Sequence, residues 1–184
     1  MALTTPPAIE TERLILRDHR AADLDDYAAM WGDPDVHRFL GATPNSREES
    51  WTRLLRAIGH WRLLGYGLWI VQERASGRLV GEIGFGDFQR TLETPFGDAP
   101  ECGWTLAPWS HGRGYATEAM AGAAAWGDQL FTAPRTVCLI HPENTASLRV
   151  AAKCGYRPYD QVTYRDQPAI LLERPSPSRP PREG

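Results

Sequence analysis

Strand-like and helix-like segments alternate along most of this 184-residue chain. Runs such as 67–73 and 78–85 are rich in branched and apolar residues and predict strands. Ser46 followed by Glu49 forms a capping box, which predicts the start of a helix. Such alternation favours a mixed sheet covered by helices. Since the sequence has no internal repeat or linker, we expect one α/β domain over residues 1–174 and a Pro-rich, disordered tail at 175–184.

The coarse pattern predicts seven strands and four helices. The predicted strands are 11–17, 67–73, 78–85, 101–106, 136–140, 156–164 and 169–173, and the predicted helices are 23–30, 46–64, 115–130 and 144–154. Pro34 is expected to end the first helical segment, because proline cannot continue a helix interior. A loop is predicted at 89–99 and a glycine-rich turn at 108–114.

Composition narrows the classes of partner. The net charge is -3 at pH 7, so no positive field predicts binding to nucleic acid or to an anionic membrane. No apolar run reaches the ~18 residues of a membrane span, and the N-terminal segment lacks the basic and apolar regions of a signal peptide. The three cysteines are not at metal-ligand spacing, which predicts reduced thiols, no metal site and a cytoplasmic location.

The segment 109–119, Trp-Ser-His-Gly-Arg-Gly-Tyr-Ala-Thr-Glu-Ala, follows a predicted strand and opens a predicted helix. A helix start exposes unpaired N–H groups, and two glycines let the backbone bend close to a ligand. Together they suit an anion such as a pyrophosphate, although a ligand-free turn would use the same residues. The segment is neither a P-loop nor a dinucleotide fingerprint, because it lacks Gly-Lys-Ser/Thr and a third glycine. Glu118 is expected to favour the helix dipole, a structural role.

A second segment, 144–156, reads Asn-Thr-Ala-Ser-Leu-Arg-Val-Ala-Ala-Lys-Cys-Gly-Tyr. Asn144 is a favourable N-cap and Gly155 a favourable residue just beyond the helix end. These two residues fully explain a short helix between two strands. Propensity alone therefore assigns no function to Ser147 or Lys153.

In this order, the two segments resemble the GNAT acetyltransferases, and more narrowly the branch of ribosomal-protein N-terminal acetyltransferases. The family loop pattern Gln/Arg-x-x-Gly-x-Gly/Ala falls on residues 111–116, with His111 departing at the first position. The branch pattern Gly-Lys/Arg-Gly-Tyr-Ala-Thr-Glu-Ala is met by 112–119, and Asn-x-x-Ser-x-Arg-x-x-x-Lys-x-Gly-Phe by 144–156, with Tyr156 for Phe. Segments 11–17 and 80–85 are also similar, so the resemblance covers about residues 9–174.

The resemblance implies a mixed, mostly antiparallel sheet of about seven strands, splayed in the middle, with about four helices. Acetyl-CoA would lie between strands 101–106 and 136–140. Its pantetheine arm would bond to backbone near Trp104, Thr105 and Leu106 on one side, and to Asn144 and Ser147 on the other. Its pyrophosphate would lie on the loop that comprises His111, Gly112, Arg113, Gly114, Tyr115 and Ala116.

The resemblance also implies direct acetyl transfer to an amine, with no metal. We favour Glu101 over Glu82 as the base, while an ordinary salt-bridged strand carboxylate is the alternative for either. Many family members use a Tyr to protonate the leaving thiolate, but the corresponding residue here is Ala151. Ser147, one turn earlier, is therefore the candidate partner of the thiolate. A backbone N–H at a strand bulge is expected to stabilise the oxyanion.

The acceptor is left open by the sequence. A protein or peptide N-terminal α-amine, an aminoglycoside or polyamine, and a small amino compound are all consistent with it. Acceptor residues are expected on the helix 46–64 and the loop 89–100. Carboxylates of the loop region and of the helix 23–30 suggest a cationic acceptor, with solvated surface charge as the alternative. A non-catalytic module that binds acyl-CoA is the alternative from another functional class. Monomer and homodimer remain equally open.

Overall fold

A computed structural model describes residues 5–177 of the chain. The helices and strands in this part are β1 (Ile9–Glu10), β2 (Leu14–Arg17), α1 (Leu24–Trp31), α2 (Pro34–His37), α3 (Arg47–Leu64), β3 (Leu68–Glu73), β4 (Leu79–Gly86), β5 (Glu101–Leu106), α4 (Tyr115–Leu130), β6 (Arg135–Ile140), α5 (Thr145–Lys153), β7 (Arg157–Tyr164) and β8 (Gln167–Pro175). Short 3-10 turns at Ala21–Asp23 and Pro108–Ser110 precede α1 and follow β5. Strand β8 takes in the first residue of the predicted tail, and 178–184 lie outside the described residues.

The strands of the described chain form one sheet in the order β1-β2-β3-β4-β5-β6-β8-β7. Neighbouring strands are antiparallel except β5 and β6, which are parallel and pair at one position, Glu101 with Val137. Beyond that pair β5 and β6 diverge, so the sheet is splayed in its middle. The predicted mostly antiparallel α/β fold is confirmed. The extra strand β1 and extra helix α2 have two and four residues, too few to leave a periodic pattern.

Local signals explain where α2 and α3 begin. At α3 the Ser46 hydroxyl accepts from the Glu49 N–H, and the Glu49 carboxylate accepts from the Ser46 N–H, so the predicted capping box is confirmed. Gly65 follows α3 with a left-handed φ of +76°. Pro34 does not end a helix as predicted. It occupies the first position of α2, where its missing N–H costs nothing, and Asp33 caps that helix.

The two faces of the sheet carry separate hydrophobic cores, and α3 contributes Leu54 to one and Trp61 to the other. Adjacent side chains on a strand point to opposite faces, and on β3 Trp69 joins the core beneath α4 while Ile70 joins the core beneath α1 and α3. Each fully buried side chain of this size contributes about 1.5–3 kcal/mol to folding. Within residues 5–177, no helix is long and apolar enough to cross a bilayer. The splay between β5 and β6 therefore lies in the middle of a sheet that is packed on both faces.

Candidate active site

The glycine-rich loop between β5 and α4 has a backbone that only glycine adopts without strain. Gly112 and Gly114 have φ values of +74° and +79°. A Cβ added at Gly112 would meet nothing within 4 Å, so backbone conformation rather than crowding requires glycine there. Gly114 is the N-cap of α4 and has no side chain to cap it. The first N–H groups of α4, on Tyr115 and Ala116, are therefore left to bind an anion.

Two sets of contacts hold the side chains around this loop. The exposed Arg113 guanidinium lies 3.2 Å from the Glu73 carboxylate, which also accepts a hydrogen bond from the Tyr115 hydroxyl. The Tyr115 side chain is thus turned into the sheet, and only its backbone can serve the loop. His111 Nε2 lies 3.0 Å from the Leu106 carbonyl oxygen, which brings together two residues predicted to bind the cofactor.

The edge of β5 at the split carries backbone groups that β4 does not pair, although the Leu106 carbonyl already contacts His111. Backbone groups alternate in direction along a strand, and the Ala107 N–H donates to the Val80 carbonyl of β4 at 2.8 Å. The N–H and C=O groups of Trp104 and Leu106 therefore point away from β4, toward the split. Thr105 directs its backbone to β4 instead, opposite Glu82. A chain-like ligand inserted at the split can pair with Trp104 and Leu106 as an added strand would.

The predicted bulge in this strand is absent. The pairing of β4 with β5 keeps one register from Gly81 opposite Leu106 to Gly86 opposite Glu101, whereas a bulge would shift it. An oxyanion donor at a bulge of β5 against β4 is therefore excluded, and the assignment of the donor stays a prediction. The backbone N–H groups that face the split belong to a regular strand and are exposed there because β6 has diverged.

Helix α5 supplies the opposite wall of the split. The Asn144 side-chain oxygen accepts from the Ser147 N–H at 3.1 Å, so Asn144 is the predicted N-cap and its amide NH₂ stays available. Ser147 Oγ lies 3.2 Å from Trp104 Nε1. Because the indole can only donate, the Ser147 oxygen accepts, and its own O–H remains free to donate elsewhere. Ala151 is fully buried and has no acidic group.

The split opens into a cleft of about 1120 Å³. Glu101 lies on its wall, at the point where β5 and β6 part, and is 5% exposed. Arg90 binds both of its carboxylate oxygens, at 2.5 and 2.7 Å. Burial raises the pKa of the Glu101 carboxyl above its usual value, while the hydrogen bonds and charge of Arg90 oppose the rise.

Glu82 is the second carboxylate of the cleft, and it is 1% exposed. Its oxygens accept from Arg53 at 2.7 Å and from the Tyr27 hydroxyl at 2.6 Å, and His19 Nε2 lies 3.5 Å away. Burial alone would raise its pKa. The charge of Arg53, the nearby His19 side chain and the hydrogen bond from Tyr27 outweigh burial and lower the pKa of Glu82 to about 2. Glu82 is therefore a stable anion and a weak base.

A family model described as Acetyltransferase (GNAT) domain matches residues 13–157 of the chain. The chain belongs to the GNAT acetyltransferase family. A structure from Bordetella pertussis, described as a GNAT-family acetyltransferase, is 32% identical, with a TM-score of 0.80, and the match covers 92% of this chain and 99% of that one. The protein YkkB of Bacillus subtilis (strain 168) is 29% identical over 171 residues, 90% of this chain and 94% of that protein.

A third similar protein is RimL, a ribosomal L7/L12 alpha-N-protein acetyltransferase solved in complex with coenzyme A. It is 14% identical, with a TM-score of 0.78, over 94% of this chain and 100% of that one. At this identity the likeness shows the fold alone. The predicted family is confirmed by the model match, and the residues assigned to chemistry rest on the geometry described above.

The cleft of this GNAT domain also contains residues that the sequence did not reveal. The segment after α1 and the β7–β8 turn both reach the cleft, and they contribute His37, Phe39, Leu40, Tyr164 and Arg165. The loop 89–100 contributes only its first residues, because Leu92 and Phe96 pack against the β7–β8 hairpin instead. No local pattern could have found these contacts, since each joins segments far apart in the chain.

The two thiols that border the cleft of this GNAT domain are not placed for catalysis. Cys102 and Cys138 border the cleft but are 2% and 1% exposed, and burial raises the pKa of both thiols. A thiol held protonated is a poor nucleophile. Within residues 5–177, no group of three or more His, Cys, Asp or Glu side chains is placed to hold a metal ion.

Proposed function

We propose that this GNAT protein is a cytoplasmic N-acetyltransferase that transfers an acetyl group from acetyl-CoA directly to an amine. The observation that carries the proposal is the meeting of three features at one split in the sheet. These are a buried carboxylate at the vertex, free strand backbone along one edge, and a glycine-rich helix N-terminus beyond it. A nucleotide-linked thioester is long enough to use the loop and the strand edge together.

The residues present fit acetyl-CoA. The open loop 111–116 offers backbone N–H groups and Arg113 to the pyrophosphate. The outward-facing backbone of Trp104 and Leu106, and the spare amide of Asn144, would bind the pantetheine arm. The coenzyme A bound to RimL, which has this fold, supports the same class of donor for this chain.

Acetyl-CoA would supply the activated acetyl group, and two side chains of this chain would move the protons. Glu101 would accept the proton of the attacking amine, directly or through a water, because burial favours its proton-binding form. Arg90 would keep the carboxylate in place. The Ser147 hydroxyl, oriented by the Trp104 indole, would donate a hydrogen bond to the departing thiolate.

The two deeply buried carboxylates of the cleft favour an α-amine over a polyamine as acceptor. Each deeply buried carboxylate is already neutralised by an arginine, Glu82 by Arg53 and Glu101 by Arg90. A polycation would find no free carboxylate among these four residues. The amine must also be neutral to attack, which near pH 7 costs about 1 kcal/mol for an α-amine and about 4.6 kcal/mol for a lysine. A modest base such as Glu101 suits the smaller cost.

The test is a peptide that carries both a free N-terminus and a lysine, incubated briefly with enzyme and acetyl-CoA and analysed by mass spectrometry. We expect the N-terminal amine to be acetylated first, and kcat/KM to rise with pH from 6.5 to 8.5 as the α-amine deprotonates. Acetylation mainly on lysine would contradict the preference for an α-amine.

A small-molecule amine acetyltransferase is the second candidate, and the aromatic cleft wall formed by Trp31, Phe39 and Phe88 is the observation in its favour. Turnover of small amines with no peptide acetylation would select it. Acetyl-CoA binding with no release of thiol, for any amine in a broad panel, would instead identify a non-catalytic acyl-CoA-binding module.

A further inference from the structure

Glu118 lies in the first turn of α4, next to the loop proposed to bind the pyrophosphate. A carboxylate there stabilises the helix dipole, but the same charge repels an anion at the same helix end. Burial alone would raise the pKa of Glu118. Hydrogen bonds from Thr11 and Arg13 outweigh it and hold that pKa below its usual value, so the carboxylate is charged at neutral pH. The loop therefore needs a compensating positive charge close by.

Arg13, in the bend between β1 and β2, supplies that charge. Its Nε and Nη2 lie 2.7 and 2.6 Å from Glu118 Oε2, and its backbone N–H donates to Oε1 at 2.8 Å. Its Nη1 donates to the Arg113 carbonyl at 3.0 Å, inside the loop. The guanidinium also lies 4.7 Å from the centre of the Tyr115 ring. One side chain thus contacts the helix start, the loop and the loop's acidic neighbour.

The location of Arg13 is specific to the loop. A Cβ added at Gly114 would lie 3.5 Å from Arg13 Nη2, so the guanidinium borders the left-handed glycine directly. Thr11 Oγ1 completes the arrangement by donating to Glu118 Oε1 at 2.6 Å. Segments 11–17 and 112–119, which stand about 100 positions apart in sequence, are therefore joined by four hydrogen bonds.

We propose that Arg13 is a positioning residue of the donor site, which neutralises Glu118 and fixes the loop so that its N–H groups can bind the pyrophosphate. The inference rests on the proposed use of acetyl-CoA. Arg13 should therefore affect the binding only of a donor that carries the pyrophosphate. The reaction of a donor that ends at pantetheine should not depend on Arg13.

The experiment compares Arg13→Gln with wild type by calorimetry with CoA and by kinetics with acetyl-CoA and S-acetyl-pantetheine. We expect Arg13→Gln to weaken CoA binding about fivefold and to leave kcat/KM for S-acetyl-pantetheine within twofold. Adding Glu118→Gln should restore most of the CoA affinity, because the charge that Arg13 neutralises is then gone. Arg13→Lys, which keeps the charge, should bind CoA within about twofold of wild type.

Arg74→Gln is the control, since Arg74 is similarly exposed and its substitution removes the same unit of charge. Its guanidinium pairs with Glu10 and donates to the Thr11 carbonyl, so this variant perturbs the same bend while the bonds from Arg13 to Glu118 and to the loop are kept. Unchanged CoA affinity in Arg13→Gln would overturn the proposal. So would an equal loss for both donors, no restoration by Glu118→Gln, or an Arg13→Lys defect as large as that of Arg13→Gln. If wild type itself binds no CoA, the proposed function fails first, and the two failures are thereby distinguished.

Discussion

The proposed donor half and the proposed acceptor half of the cleft are built from different groups, backbone in the first and side chains in the second. The donor half uses backbone: the left-handed Gly112 and Gly114, and the outward-facing groups of Trp104 and Leu106. The acceptor half uses buried ion pairs between side chains that are 29 residues apart for Arg53 with Glu82 and 11 apart for Arg90 with Glu101. One half depends on conformation, and the other on charge.

This difference predicts two distinct responses to mutation. Substitutions in the donor half should change affinity for CoA, because they alter where N–H groups point. Substitutions in the acceptor half should change stability or rate, because they leave a buried charge without its partner. The following predictions test this separation, beginning with the largest effect.

Glu82→Gln should lower the free energy of unfolding by about 3 kcal/mol, since it leaves Arg53 mostly buried without its anion. In wild type, the folded-state pKa of Glu82 is about 2, below the ordinary 4.5. The folded protein therefore binds this proton less tightly than the unfolded chain. The stabilisation is complete above about pH 5 and is lost as pH falls from 4.5 toward 2.

Urea denaturation of both proteins at pH 7 and at pH 3 measures this difference. We expect the gap between wild type and Glu82→Gln to narrow at the lower pH. Glu173→Gln is the control, because its pair with Arg135 is about one-third exposed on each side and should contribute under about 1 kcal/mol. A gap independent of pH would show that Glu82 acts by packing rather than by charge.

The same difference explains how much the sequence could predict. The loop 111–116 and the N-cap Asn144 could be identified because glycine, a helix start and a capping side chain act on neighbouring residues. The capping box at Ser46 and the helix bounds of α4 are confirmed for the same reason. The splay was expected only through resemblance to the family, because no local property of residues 101–106 requires β6 to diverge.

The acceptor half was largely hidden from the sequence. Nothing in the sequence near Glu101 indicates that Arg90 binds it. Nothing near Glu82 indicates its three partners, which come from α1, from α3 and from the segment that precedes α1. Long-range pairs are set by tertiary packing, not by local pattern. The resemblance places acceptor residues on the loop 89–100, but its apolar Leu92 and Phe96 pack against the β7–β8 hairpin.

Glu101→Gln should lower kcat about 100-fold and leave CoA affinity within twofold, because it removes the base and not the donor site. Glutamine keeps one oxygen for Arg90 but leaves that arginine without its anion, so circular dichroism and urea denaturation must first show that the variant is folded. Arg90→Gln sharpens the test. Arg90 lowers a pKa that burial raises, so its removal should raise that pKa further and move the acid limb of kcat/KM to higher pH.

Pre-steady-state kinetics with a saturating amine separate the chemical step from product release. Full activity in Glu101→Gln would show that Glu101 is not the base, and Glu82 would then be the remaining candidate. An acid limb that does not move in Arg90→Gln would mean that the titrating group is the acceptor amine alone.

Gly114→Val should weaken CoA binding at least about tenfold, or about 1.4 kcal/mol. A branched side chain disfavours φ of +79°, so the loop must adopt another conformation and its N–H groups lose their common direction. Calorimetry with CoA measures the loss. Gly59→Ala is the control, because Gly59 lies in regular α3 with open space around it. Unchanged affinity in a folded Gly114→Val protein would contradict a backbone-built donor site.

Ser147→Ala should give the smallest effect, a decrease in kcat of about fivefold, the size of one hydrogen bond, with little change in the KM for acetyl-CoA. The hydroxyl accepts from Trp104 and so directs its proton into the split, where the thiolate departs. Trp104→Phe should reproduce part of the loss, because the hydroxyl is then present but no longer oriented. Steady-state kinetics of both variants and of the double mutant would measure this coupling. Independent, additive losses would mean that the indole does not orient Ser147. A rise in KM at constant kcat would mean that Ser147 acts in donor binding. The separation between a donor half built from backbone and an acceptor half built from side chains would then not hold at this residue.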